Sequence, residues 1–240
     1  MRALTYYRAL VVFGDFPIVT TVLEDNNDEV VEASKRSPRN EVARFILEDL
    51  DKAIDLLASR SKFSGQRLNR EAALLFKSRV ALYEGTFEKY HRNSGRVPGD
   101  SEWPGANADY NSGKIFGIDG EIEFFLTEAI AAAEEVAGTA QLTSNNHVIE
   151  PTVGVTTGWN PYFEMYSQPS LANVTEVLLW KEYNSELSVK HNAPYRCKIG
   201  CADGYTRTFV EAFLMKNGLP IYAENSGYQG DTSIDNAKKD

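Results

Sequence analysis

"SPRNEVARFILEDLDKAIDLLASR" (residues 37–60) decides the fold class. Val42, Phe45, Ile46, Leu50, Ala53, Ile54 and Leu57 recur at three- and four-residue steps, which is the repeat of one helical face. Glu48, Asp51, Lys52 and Asp55 fall on the other side, so the segment predicts a helix with one packed and one solvated face. Ser37 can accept a bond from a free amide as the N-cap. Pro38, at the first helical position, lacks the donor that would otherwise be orphaned there.

A second helix is predicted just downstream in "GQRLNREAALLFKSRVALYEGTFEKYHR" (65–92). Asn69 can cap it, and Ala72, Phe76, Val80, Tyr83, Phe87 and Tyr90 form a continuous stripe. Ala73, Ala81 and Gly85 are small enough to let a neighbouring helix come close. That offers a reason for a mid-helix glycine, which otherwise costs about 1 kcal/mol relative to alanine. A third helix, "IDGEIEFFLTEAIAAAEEVAG" (118–138), has Asp119 as a cap and Ile122, Phe125, Leu126, Ala129, Ile130, Ala133 and Val136 as its face, with Gly138 at its end. Three amphipathic helices with small contact residues suggest stacked hairpins of the tetratricopeptide kind, although the full repeat consensus is not present.

Upstream, "MRALTYYRALVVFGDFPIVTT" (1–21) reads as the end of a buried helix, stopped by Gly14 and Pro17. Its apolar residues are too dense for a one-faced surface helix, so an exposed apolar face is expected on it. Arg8 and two tyrosines interrupt the run that a secretory signal would need. Met1 is therefore expected to be an internal methionine or the start of a truncated gene model.

Between the second and third helices, "NSGRVPGDSEWPGANADYNSGK" (93–114) is loop chemistry, and so long a connection in a compact domain is usually functional or disordered. Beyond residue 140 the chain turns rich in Asn, Ser, Thr, Gly and aromatics. There "EVLLWKEY" (176–183) reads as a strand or short buried segment, and "TRTFVEAFLMKNGLPIY" (206–222) as one more short helix. The expected fold is mainly α, with helical hairpins over 1–140 and an irregular, loop-rich region containing short strands over 141–240.

The chain has 240 residues, 42% of them hydrophobic, with 25 basic against 34 acidic side chains and a net charge of -9. That balance disfavours nucleic acid as a partner, since affinity for it rests on Lys and Arg neutralising phosphates. No apolar run approaches the ~18 to 20 residues that span a bilayer. The two cysteines, Cys197 and Cys201, cannot form a disulfide framework. With His191 they match no usual zinc spacing, and a thiol pair or local disulfide is the better reading. No cofactor is implied. A structural calcium near Asp100 or Asp231 has oxygen chemistry in its favour and nothing more.

Taken in order, "RALTYYRALVVFGDFPIV", "EVARFILEDLDKAIDLL", "LNREAALLFKSRVALYEGTFEKYH", "EVLLWKEY" and "TRTFVEAFLMKNGLPIY" resemble the SusD/RagB family of outer-membrane nutrient-binding lipoproteins of the Bacteroidota. The resemblance implies a tetratricopeptide-like scaffold supporting an irregular region that holds a glycan. It implies a cell-surface protein that binds oligosaccharides without cleaving them and delivers them to a SusC-like TonB-dependent transporter. It also implies an export signal and a lipidated cysteine upstream of this sequence, so that membrane attachment is through a lipid anchor outside it.

A sugar ring offers an apolar C–H face and a rim of hydroxyls, so a site for it needs flat aromatics together with hydrogen-bonding side chains. "EWPGANADY" (102–110) supplies Trp103, Asn107 and Tyr110, and "GWNPYFEMYSQ" (158–168) supplies Trp159, Asn160, Tyr162 and Tyr166. Trp103, in a polar loop, is expected to be exposed. For the second stretch two readings stand, a stacking platform or a plug at the junction between helices and the irregular region.

Two other functions compete with sugar binding: a helical-repeat scaffold that binds protein, and a helical-barrel glycoside hydrolase. A glycosidase needs two carboxylates about 5 to 9.5 Å apart. Glu48, Asp49 and Asp51 lie mainly on a solvated helix face, and no nucleophile elbow, Walker loop or dinucleotide fingerprint occurs.

Overall fold

The computed structural model describes residues 1–199 and 204–229. Its helices are α1 (Arg2–Phe13), α2 (Asn27–Ala33), α3 (Arg39–Leu56), α4 (Arg70–His91), α5 (Ile118–Ala137), α6 (Pro161–Ser167), α7 (Ala193–Ile199) and α8 (Arg207–Glu211). Two compact units divide the chain, Met1–Tyr183 and Asn184–Asp240.

In the first unit α1 packs on α3, α3 on α4 and α4 on α5. Ion pairs record the register of each pair. Arg2 meets Asp49, Arg39 meets Glu84 and Lys77 meets Asp51, while Lys77 also reaches Glu128 and Arg70 meets Glu135. Residue numbers rise on one helix as they fall on its partner, so each neighbouring pair is antiparallel and the predicted hairpins are present. Their core is apolar: Leu10, Val42, Ala43, Ile46, Leu50, Val80, Ala81 and Phe125, with Ile54, Leu74, Ala132 and Val136 closing the other end.

Gly85 lets α5 pack closely on α4. A methyl group there would stand 3.1 Å from Leu126 and 3.2 Å from Phe125, tighter than ordinary packing. Val11, Val12 and Phe13 are exposed in the last turn of α1, but the rest of its open side is Arg2, Thr5 and Arg8, so the exposed apolar face expected of it is confined to that turn.

Several local expectations are corrected. Helix α3 begins one residue later than predicted, with Pro38 as its N-cap and no bond from Ser37, because the Ser37 backbone is paired with Phe16. The free Arg39 amide is satisfied by Asp15 Oδ1 at 2.9 Å, a carboxylate from a distant part of the chain. Helix α5 starts at Ile118 and takes no cap from Asp119. Tyr90 and Ile130 point to solvent, so the buried stripes of α4 and α5 are narrower than read. Asn69 does cap α4, accepting the Ala72 amide.

Strands are absent among the described residues, where only three isolated bridges occur. "EVLLWKEY" is accordingly no strand. It is an irregular seam anchored by the buried Trp180, whose indole donates to Ser64 O at 2.7 Å and whose amide donates to Gly65 O, while Leu179 and residues 181–183 are exposed. Gly65 has φ +78 and the ring close against it, which leaves no room for a side chain.

Arg60 completes the seam. Its guanidinium donates to the carbonyls of Leu171, Ala172, Val174 and Val177. The residues from 171 to 180 are thereby stitched to the α3–α4 connection.

In the second unit Thr206 caps α8, Tyr205 stacks on Phe209, and Phe209 meets Phe213 edge-on. Helix α8 ends at Glu211, well before Asn217 and Gly218 in the 206–222 stretch that reads as a helix. Those two residues instead form the turn of the Leu214–Pro220 bridge, with Gly218 at φ +78.

Candidate functional site

Helix α6 carries an open aromatic groove. Asn160 starts the helix: its Oδ1 accepts the amides of Tyr162 (2.8 Å) and Phe163 (3.1 Å), and Pro161 follows at a position that needs no donor. Residues four apart share a helix face, so Trp159 lies on Phe163 at 4.7 Å between ring centres, and Tyr162 meets Tyr166 edge-on at 5.6 Å. The Tyr166 hydroxyl is raised above its usual pKa, chiefly by its hydrogen bond with Tyr162 and then by that residue's charge.

Met165 is the buried anchor on the other side of α6. Its sulfur accepts a bond from Thr143 Oγ1, and the Thr143 amide donates to Glu176. The facing wall consists of Asn145, His147, Val148 and Ile149, and the groove between encloses ≈ 500 Å³. Asn146 Nδ2 ties this wall to Trp159 O at 2.7 Å, and Asn160 Nδ2 ties it to Val148 O at 2.8 Å. Tyr162, Phe163 and Tyr166 remain exposed, Tyr166 at 74%.

Asn160 is therefore not a ligand group. Both lone pairs of its oxygen go to the helix start and its nitrogen goes to Val148 O and Asn145 Oδ1, so its hydrogen-bonding capacity is used up. The dipeptide Asn160-Pro161 carried this signal in the sequence, as a helix start.

Trp103 is a larger correction, being 3% exposed. Its indole donates to Asp15 Oδ2 at 2.9 Å, and its ring meets Phe116 edge-on at 5.2 Å. Gly105 leaves the space, since a methyl there would lie 2.1 Å from that ring. Asp15 thus binds the α3 start with one oxygen and the long loop with the other. Burial pushes its pKa above the ordinary carboxylate value, against the pull of these donors.

Asn107 and Tyr110 are exposed on two 3-10 turns, Pro104–Asn107 and Asp109–Asn111, and neither lines the groove. Asp100 spends its oxygens on the amides of Asn93 and Gly95. Among the described residues no group of three or more His, Cys, Asp or Glu is placed to hold a metal. Cys201, Asp231 and the Cys197 side chain lie outside the described residues.

A second polar cluster escaped the sequence reading. Arg39, only 4% exposed, makes a forked pair with Glu84 at 2.7 and 2.8 Å, and its guanidinium lies 3.3 Å above the Phe87 ring. Arg44 makes a similar fork with Glu121 and sits 3.7 Å over Phe124. Glu88 is 1% exposed, and neither of its oxygens has a hydrogen-bond partner among the described residues. Burial, followed by repulsion from Glu84 and Glu121, pushes its pKa up to about 8, so it is largely protonated at neutral pH. The available signal was the four-residue spacing of Glu84 and Glu88 beside the apolar stripe, which places both carboxylates on one inward face.

Residues 1–82 match the family SusD-like_3, described as starch-binding associating with outer membrane. A curated relative, SusD-like protein P2 of Formosa agariphila, is 32% identical over 88 residues, which is 37% of this chain and 17% of that protein. The match thus covers a small part of the relative's length. No solved structure matches the chain. The likeness read from the sequence is borne out over its opening part: residues 1–82 are SusD-like.

Proposed function

We propose that this protein binds oligosaccharides at the bacterial cell surface and passes them, uncleaved, to a SusC-like TonB-dependent transporter. The match of residues 1–82 to a starch-binding, outer-membrane-associated family carries this reading. Residues 1–140 serve as the helical scaffold. The irregular region after them presents the sugar site, and the lipid anchor implied by the family likeness holds the protein at the membrane.

The groove on α6 supplies the chemistry. Trp159, Tyr162 and Tyr166 offer flat apolar faces to the C–H side of a sugar ring, and the two phenols and Asn145 offer hydrogen bonds to its hydroxyls. Of the residues expected at the site, Trp159, Tyr162 and Tyr166 remain in this set.

Calorimetric titration with malto-oligosaccharides and other neutral oligosaccharides tests the proposal. Trp159→Ala and Tyr162→Ala are each expected to weaken binding about tenfold, close to 1.4 kcal/mol. Unchanged binding in both variants would remove the site from the groove.

A further inference from the structure

We infer that the α6 groove selects uncharged sugar rings and rejects glycans that carry carboxylate or sulfate groups; this rests on the reading of the groove as a sugar site. The residues that line it, Asn145, His147, Val148, Ile149, Trp159, Asn160, Tyr162, Phe163 and Tyr166, include no Lys or Arg. Nor does any occur in the sequence between Thr139 and Trp180, where the charged residues are Glu150, Glu164 and Glu176.

Each of those carboxylates lies near the groove. Glu150 follows the lining residue Ile149, and Glu164 sits on α6 and accepts the Gly158 amide. Glu176 accepts the Thr143 amide, and its charge is felt at the Tyr166 hydroxyl.

Three physical effects act in the same direction. An anionic sugar needs a charge-assisted partner, commonly an Arg fork, to replace the water it gives up, and the groove supplies none. Aromatic rings present a negative face, so a carboxylate or sulfate over Trp159 or Tyr162 meets repulsion where a C–H face meets attraction. The three glutamates add a field of the same sign as the ligand, modest at surface distances and weakened by salt.

The test is a panel of oligosaccharides of equal length, run by calorimetry on the intact chain. Neutral malto-, cello- and xylo-oligosaccharides form one arm, and oligogalacturonates with sulfated oligosaccharides form the other. At least one neutral ligand is expected to bind, to weaken about tenfold in Tyr162→Ala, and to outbind every anionic ligand at least tenfold. His147→Lys places an ammonium on the facing wall and should narrow that gap.

Equal or tighter binding of an anionic ligand, lost in Tyr162→Ala, would overturn the selectivity and leave the sugar site standing. A gap that His147→Lys does not narrow would show that charge is not its cause. No binding in either arm would sink the sugar reading itself, and the selectivity with it.

Discussion

Two tryptophans in polar, glycine-containing loops come to opposite ends in this molecule. Trp103 is locked between Asp15 and Phe116 inside the helical body, whereas Trp159 lies on Phe163 at the edge of an open groove. Around each, the sequence offers the same mixture of aromatics, Asn, Gly and Pro. What separates them is a partner supplied from elsewhere, since Asp15 stands far upstream of Trp103 and brings a buried acceptor to it. The body spends its aromatic and polar groups on its own packing, while the segment after α5 leaves them at the surface, where a ligand can meet them.

The sharpest way to break this contrast is to remove each ring. Trp103→Ala should cost roughly 3 to 5 kcal/mol of stability, with a cavity left in the body and Asp15 stripped of a donor. Trp159→Ala should cost less than about 1 kcal/mol. Chemical denaturation of both variants reads the difference, and equal losses would mean that the groove is part of the core.

Glu88 extends the contrast to charge. Its folded pKa of about 8 lies above the ordinary 4.5, so the carboxyl binds its proton more tightly in the folded chain. Stability from that proton is complete below about pH 4.5 and is lost as pH rises through 8. Glu88→Gln should therefore match the native chain at low pH and exceed it by on the order of 5 kcal/mol above pH 8. A difference between the two chains that stays constant across this range would refute the assignment of a buried, protonated carboxyl.

Smaller effects sharpen the picture. Gly85→Val should cost about 1 to 3 kcal/mol by forcing α4 away from Leu126 and Phe125, measured as a lowered Tm. Asn160→Ala should cost about 1 kcal/mol through the lost helix cap and loosen the groove wall at Val148. Hydrogen exchange at the Tyr162 and Phe163 amides would detect it, and protection equal to that of the native chain would contradict the capping role.

The helices of the body were legible because their signal is local: a three-four repeat of apolar residues, the Asn69 cap and the small residues of α4 all act within a few turns. The contacts that close the body were not legible. Asp15 reaches both the start of α3 and Trp103, and Arg39 turns inward to Glu84, so a guanidinium is buried in the body. No periodicity encodes such a pairing. At the candidate site the aromatic composition was readable, but the role of each residue was not. Asn160 looked like a ligand group until its backbone partners were known, although the proline after it already marked a helix start.

The seam from 171 to 180 has a consequence for how this sequence can change. Arg60 grips the carbonyls of Leu171, Ala172, Val174 and Val177, and Asn69 takes that of Leu178. Every residue carries a carbonyl, so this grip does not depend on which side chains follow one another there. At 171, 172, 174 and 177 the grip is thereby indifferent to side-chain identity, whereas Thr175 and Glu176 hold Gln141 and Thr143 by their side chains. The burden of constancy falls on these two and on Arg60, whose fan of five donors no lysine can copy.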